Sequence, residues 1–191
     1  MPKVNIEISA RHVHLKEADF IKLFGEGNEL SKIKDLSQKG EFATGEQVTI
    51  KVGEKKIAGV RVLGPFRDNT QVEISMTDAR ALKADVPLRL SGDIVGSAPV
   101  ILAGPMGTVE LDAGMIVAKR HLHISATEAE EFGVEDEQVV GLRVSGDRAG
   151  QLDQVIVRIK DTFTASVHLD TDEANALGVS PDDTGELIIS K

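Results

Sequence analysis

The segment His123-Ile124-Ser125-Ala126-Thr127-Glu128-Ala129-Glu130-Glu131-Phe132-Gly133-Val134 lies over His168-Leu169-Asp170-Thr171-Asp172-Glu173-Ala174-Asn175-Ala176-Leu177-Gly178-Val179 without a gap. The same frame fits Glu73-Ile74-Ser75-Met76-Thr77-Asp78-Ala79-Arg80-Ala81-Leu82 and, more loosely, His14-Leu15-Lys16-Glu17-Ala18-Asp19-Phe20-Ile21. Each copy reads as a strand running into a Ser, Thr or Asp that caps the exposed N–H groups of a short helix. The Ala and Phe, Leu or Ile positions of that helix pack inward. Four strand-to-helix corners, two in each half of the chain, predict two related domains. A chain of 191 residues is long enough for two small cores.

The first position of the frame is His14, Glu73, His123 or His168, and all four are ligand-type side chains. His12-Val13-His14 and His121-Leu122-His123 together hold four of the five histidines. In an extended segment, residues two apart face the same side, so each pair sets two imidazoles at a spacing that lets them share a metal ion. The repeat then adds Glu73 to the first pair and His168 to the second. The expected ligand sets are His12, His14 and Glu73, and His121, His123 and His168. An exposed strand with incidental histidines, and a solvated carboxylate at Glu73, are the plainer readings. Recurrence of the pair in matching contexts, with no histidine left over, weighs against them. The chain has no cysteine, so thiolate ligands are excluded. Imidazole and carboxylate donors suit zinc, and manganese, cobalt, nickel or iron accept similar ones.

Arg67 stands in the turn-rich loop Gly64-Pro65-Phe66-Arg67-Asp68-Asn69-Thr70, just before the strand that carries Glu73. A guanidinium beside a metal suits an oxyanion bound through two hydrogen bonds, and a solvated loop arginine is the alternative. Arg11 and Arg120 each precede a His-x-His pair and alternate to the opposite face, which leaves a structural ion pair and a substrate contact both open. Gly104-Pro105-Met106-Gly107 reads as a turn, with close approach of a ligand as the other reading. The acidic runs at 128–131 and 135–137 read as helix N-terminal and solvated charges.

Elsewhere the chain alternates in the manner of strands at Val4 to Ser9, Gln47 to Val52, Lys56 to Leu63, Gln71 to Ser75 and Pro87 to Leu90, with a hairpin turn at Gly53-Glu54-Lys55. Short helices are expected at about Lys16 to Phe24 and Asp78 to Lys83. The stretch 25–45 is broken by Gly25, Gly27, Asn28, Gly40 and Gly45 and reads as an insertion or flap. The fold class expected is therefore mainly β with short helices.

A net charge of −9 and only 3% aromatic residues argue against a nucleic-acid partner, which favours a basic surface and stacking side chains. The most apolar stretch, Ile94 to Met106, is interrupted by Gly96, Pro99, Gly104 and Pro105. It falls short of the roughly 18–20 residues that span a bilayer, so no membrane partner is expected. Met1-Pro2-Lys3-Val4 enters strand alternation at once, without the regions of a signal peptide. Cytoplasmic residence is the expectation.

The residues Ser9-Ala10-Arg11-His12-Val13-His14-Leu15, Gly64-Pro65-Phe66-Arg67 with Thr70-Gln71-Val72-Glu73-Ile74-Ser75, Arg120-His121-Leu122-His123, and Val167-His168-Leu169-Asp170-Thr171-Asp172-Glu173-Ala174 together closely resemble the PduL-type phosphate propanoyltransferase (phosphotransacylase) family. The resemblance runs in order over nearly the whole chain. It implies two small β-barrels capped by short helices, with the N-terminal strand completing the barrel of the C-terminal half and the active site between barrels. The boundaries it suggests are 1–10 plus 118–191 for one barrel and 11–117 for the other, with the flap at 25–45. It implies a homodimer that reversibly converts short-chain acyl-CoA, propanoyl or acetyl, and phosphate to acyl phosphate and CoA. By matching positions, His12, His14 and Glu73 would hold one zinc ion, His121, His123 and His168 a second, and Arg67 would bind phosphate. CoA contacts are not assigned by any motif. The N-terminal extension that directs some members to a microcompartment is not seen. A dinuclear metal hydrolase and a non-catalytic metal- or ligand-binding barrel are the readings that compete with acyl transfer.

Overall fold

A computed structural model describes residues 1–189; Ser190 and Lys191, the last two positions of the first expected barrel, lie outside the described residues. In chain order the elements are β1 (Lys3–Ser9), β2 (His12–His14), α1 (Glu17–Phe24), β3 (Lys32–Asp35), β4 (Phe42–Val52) and β5 (Lys55–Gly64). They continue with β6 (Gln71–Ile74), α2 (Met76–Leu82), β7 (Leu88–Arg89), β8 (Ala98–Ala103) and β9 (Thr108–Ala118). The last are β10 (His121–Ile124), α3 (Ala126–Phe132), β11 (Val139–Val144), β12 (Gly150–Ile159), β13 (Ser166–Asp170), α4 (Thr171–Leu177) and β14 (Thr184–Ile188). The chain divides into two compact units, Met1–Ala10 with Lys119–Lys191, and Arg11–Ala118.

In the discontinuous unit β1, β13, β10, β12, β11 and β14 pair in turn and close into a six-stranded barrel. The N-terminal strand completes it, running parallel to β13 and antiparallel to β14. Closure leaves no unpaired edge in the ring. Its interior is built from alternate residues of each strand, among them Ile6, Leu122, Ile124, Leu142, Val157 and Leu169. Full burial of each such side chain stabilises the barrel by about 1.5–3 kcal/mol relative to exposure.

In the continuous unit β4 pairs with β5, β5 with β2, β2 with β6, β6 with β9, β9 with β8, and β8 returns to β4. This is the same ring with the same directions: each His-x-His strand runs parallel to one neighbour (β5 or β12) and antiparallel to the other (β6 or β13). Strands β9 and β1 fill equivalent places, and each lies in the chain just ahead of the His-x-His strand of the other unit. The stretch 25–45 holds β3 and the beginning of β4, and β3 pairs with β4 outside the ring. The one large apolar residue of β3, Ile33, is 61% exposed, so no buried alternation marks β3 as a strand.

The corners form as the repeat requires at three of four places. Ser75, Ser125 and Asp170 cap α2, α3 and α4, and each completes a capping box with the acidic residue three positions on, Asp78, Glu128 and Glu173. Such a box satisfies two of the helix's free N–H groups. The loosest copy departs from this. Lys16 stands at the N-cap of α1 and supplies no side-chain bond. Instead its own N–H donates to Thr70 Oγ1 (3.1 Å), and Thr70 Oγ1 donates to Asp19 Oδ2 (2.7 Å). No helix among the described residues is long and apolar enough to cross a membrane.

Candidate functional site

Strand alternation decides which way the histidines point. Val13 is fully buried in the core of its barrel, so His12 and His14 on either side of it share the other face of β2. The β2–β6 ladder places Glu73 directly opposite His12 and Gln71 opposite His14. All three donor residues are buried. The Nε2 atoms of His12 and His14 lie 3.2 Å apart, and His12 Nε2 lies 3.7 Å from Glu73 Oε1. Two nitrogens bound tetrahedrally to one zinc at about 2.0–2.1 Å are separated by about 3.3 Å, so the pair already stands at ligating distance.

At His14 and Glu73 the electrostatics favour donors over protons. Burial holds the His14 imidazole well below its ordinary range, the neighbouring His12 and Arg67 push it the same way, and Glu73 opposes them. Burial alone would raise the Glu73 carboxyl, but the charges of His12 and His14 and hydrogen bonds from His12 and Ser91 hold it well below the usual carboxylate range. A neutral imidazole and an ionised carboxylate are the forms that bind metal.

Glu73 is held by its own scaffold. Gln71 Nε2 and Ser91 Oγ each donate to Glu73 Oε1 at 2.6 Å, and the N–H of Gly92 donates to Gln71 Oε1 at 2.8 Å, which fixes the amide with its NH₂ toward Glu73. Arg67 joins the same network, with Nη1 3.4 Å from Ser91 Oγ and Nη2 paired with Glu41 Oε1 at 2.9 Å. Its guanidinium is half-buried at the rim of the set and already holds a carboxylate, an oxyanion of similar fork geometry. Gln71 was within reach of sequence reasoning, since it lies two residues before Glu73 on the same face. Ser91 and Glu41 come from segments with no motif.

The second set is organised on the same rung. His121 lies opposite His168 on β10 and β13, and His123 lies opposite Ser166. Ring centroids are 4.6 Å apart for His121 and His123, 4.5 Å for His123 and His168, and 5.0 Å for His121 and His168. His121 Nδ1 lies 2.8 Å from the carbonyl oxygen of Lys119, which only accepts, so Nδ1 carries the proton and in the neutral ring Nε2 is the ligating atom. His168 Nε2 is 3.2 Å from Ser166 Oγ. The ring of Phe163 lies flat on His123, 3.8 Å between centroids and 19° from parallel.

In each set the potential ligand atoms lie within 4.8 Å of one another. Both are three-donor sets, His₂Glu and His₃, of the kind that leaves a fourth position for water or substrate. The residues therefore fit a divalent ion at either place.

The residues left open by the sequence all make structural contacts. Arg11 pairs bidentately with Asp78 (Nε 2.8 Å, Nη2 2.7 Å), and Arg120 Nε donates to Glu173 (2.6 Å). Each arginine ties the start of a His-x-His strand to the capping carboxylate of the helix that follows the third donor. Gly104 closes the β8–β9 turn with its N–H on Gly107 O (2.9 Å). A Cβ there would lie 2.4 Å from the Leu23 carbonyl oxygen, so the space serves the end of α1.

The family model described as phosphate propanoyltransferase matches residues 5–180. Curated phosphate propanoyltransferases resemble the chain over most of both lengths. That of Clostridioides difficile is 45% identical, covering 97% of this chain and 88% of its own. That of Lachnoclostridium phytofermentans is 48% identical, covering 93% and 83%. That of Thermotoga maritima is 45% identical, covering 98% and 88%.

Proposed function

The chain belongs to the phosphate propanoyltransferase family and is an acyltransferase, and on that premise we propose that it moves a short acyl group, propanoyl or acetyl, between the sulfur of CoA and inorganic phosphate. In this reading His12, His14 and Glu73 hold one zinc ion, and His121, His123 and His168 hold a second. When bound, such ions neutralise oxyanion charge and stabilise a departing thiolate.

The observation that carries the reading is Arg67, whose guanidinium holds the Glu41 carboxylate and is joined through Ser91 to Glu73. Phosphate is a poor nucleophile toward a thioester until it is desolvated and held at the carbonyl carbon. Arg67 binds it by replacing the Glu41 carboxylate on Nη2, while Ser91, accepting from Arg67 and donating to Glu73, ties the guanidinium to the first set. The phosphate oxygen then attacks the thioester carbon, the C–S bond breaks, and CoA leaves as thiolate. Without cysteine in the chain there is no thiol to carry an acyl-enzyme, and the transfer is direct, in a ternary complex. The same reading carries a cytoplasmic homodimer, whose mass light scattering measures.

The test is purified protein with propanoyl- or acetyl-CoA, with phosphate supplied or omitted. Phosphate-dependent release of CoA with formation of acyl phosphate is expected. Release without phosphate points to a metal-dependent hydrolase, and no release points to a binding protein.

A further inference from the structure

The loops 65–70 and 160–165 occupy the same place in the two barrels, after β5 and after β12, and are pinned in the same way. In one, the N–H of Arg67 donates to Leu15 O (2.9 Å) and Thr70 Oγ1 donates to Asp19 Oδ2 (2.7 Å). In the other, the N–H of Lys160 donates to Ile124 O (3.1 Å) and that of Ala165 to Glu128 Oε1 (3.4 Å). Leu15 and Ile124 each directly follow a His-x-His pair, and Asp19 and Glu128 each stand in the first turn of the next helix. The same anchoring delivers different side chains: a guanidinium over the first set, and over the second the ring of Phe163.

Phe163 is placed by its own turn, its N–H donating to Lys160 O at 2.8 Å, and its ring covers the face of His123 at 3.8 Å. A face contact fixes the plane of an imidazole while leaving both nitrogens, at the ring edge, directed within that plane. Polar partners act in the same way on the neighbouring rings, Lys119 O on His121 and Ser166 Oγ on His168. A ligand histidine ordinarily takes its orientation from such a partner, and loss of one typically weakens metal binding 10–100-fold.

We propose that Phe163 is a positioning residue for His123: its flat face holds the imidazole in the plane that converges with His121 and His168, and so sets the metal affinity of the three-histidine set. This rests on the metal reading given above.

The experiment uses the full chain, stripped of metal and titrated with zinc against a chromogenic chelator, in the wild type and in a His14→Ala background that isolates the three-histidine set. Phe163→Leu keeps an apolar side chain but no flat face; Phe163→Tyr keeps the face. Affinity is expected to fall about 10-fold or more in Phe163→Leu and to stay within a factor of about 3 of wild type in Phe163→Tyr, with the metal-free melting temperatures recorded for each. Wild-type affinity in Phe163→Leu makes the ring mere packing and overturns the proposal, as does an equal loss in Phe163→Tyr. Wild-type protein that binds no zinc refutes the metal reading itself and takes the proposal with it.

Discussion

His121 and His168 stand opposite each other on one antiparallel rung, their rings 5.0 Å apart and within 7° of parallel, and His12 faces Glu73 on the matching rung of the other barrel. The third donor of each set is thus fixed by backbone register. Glu73→Gln keeps the size of the side chain and replaces a carboxylate with a poorly ligating amide. The expected result is a fall in bound zinc from two per chain to one, read by elemental analysis after dialysis; retention of both ions removes Glu73 from the ligand set.

In the proposed reading Arg67 would hold phosphate through hydrogen bonds to a charged partner, worth about 1.5–3 kcal/mol. Arg67→Ala is expected to raise the phosphate KM about 10–100-fold with zinc content kept. Steady-state rates at limiting phosphate check this, and an unchanged KM refutes the assignment.

Glu128 links α3 to the Phe163 loop and has an acid-dependent share in stability. Burial pushes its carboxyl up, but hydrogen bonds from Ser125 Oγ and from the N–H groups of Ser125 and Ala165 together hold it below the ordinary 4.5. A depressed carboxyl contributes stability above the unfolded value and loses it as pH falls through the folded one. Glu128→Gln keeps a capping-box side chain and removes its charge, and should cost about 0.3–1 kcal/mol at pH 7, in the range of an anion at a helix N-terminus. In denaturant melts the gap to wild type should close as pH drops below 4.5; a gap constant with pH contradicts the ionised cap.

Helices α3 and α4 end on Gly133 and Gly178 in the left-handed conformation, but α2 ends there on Lys83, at φ 55°. An L side chain pays about 1 kcal/mol for that backbone. Lys83→Gly is expected to stabilise the protein by up to that amount, as a rise in denaturation midpoint with unchanged slope.

The corners were legible because two side chains recur at a fixed spacing: a donor at the strand end, then, two residues on, a hydroxyl or carboxylate at the cap. That spacing exposed Glu73, which composition alone hides among 31 acidic residues. Strands β8, β9, β11 and β12 escaped notice although each pair forms a local hairpin, because bulges in the β8–β9 and β11–β12 ladders interrupt the register. Ser91 and Phe163 could not be read at all: each reaches its partner from a loop, and loop geometry follows from anchors such as Ile124 O and Glu128 that are distant in sequence. The helix range expected from Asp78 begins two residues earlier, at Met76, because the cap is Ser75.

The separation of β1 from the rest of its ring imposes an order on synthesis. A ribosome delivers β1 first, yet its partners β13 and β14 emerge last, whereas residues 11–118 hold every strand of their own ring. The continuous barrel is therefore expected to close during translation while β1 waits with both edges unpaired, a template for stray strand pairing. Chains arrested before Ser166 should show a protease-resistant core from Arg11 onward and a cleavable N-terminus. Resistance of the first ten residues at that stage would mean that β1 has found another partner.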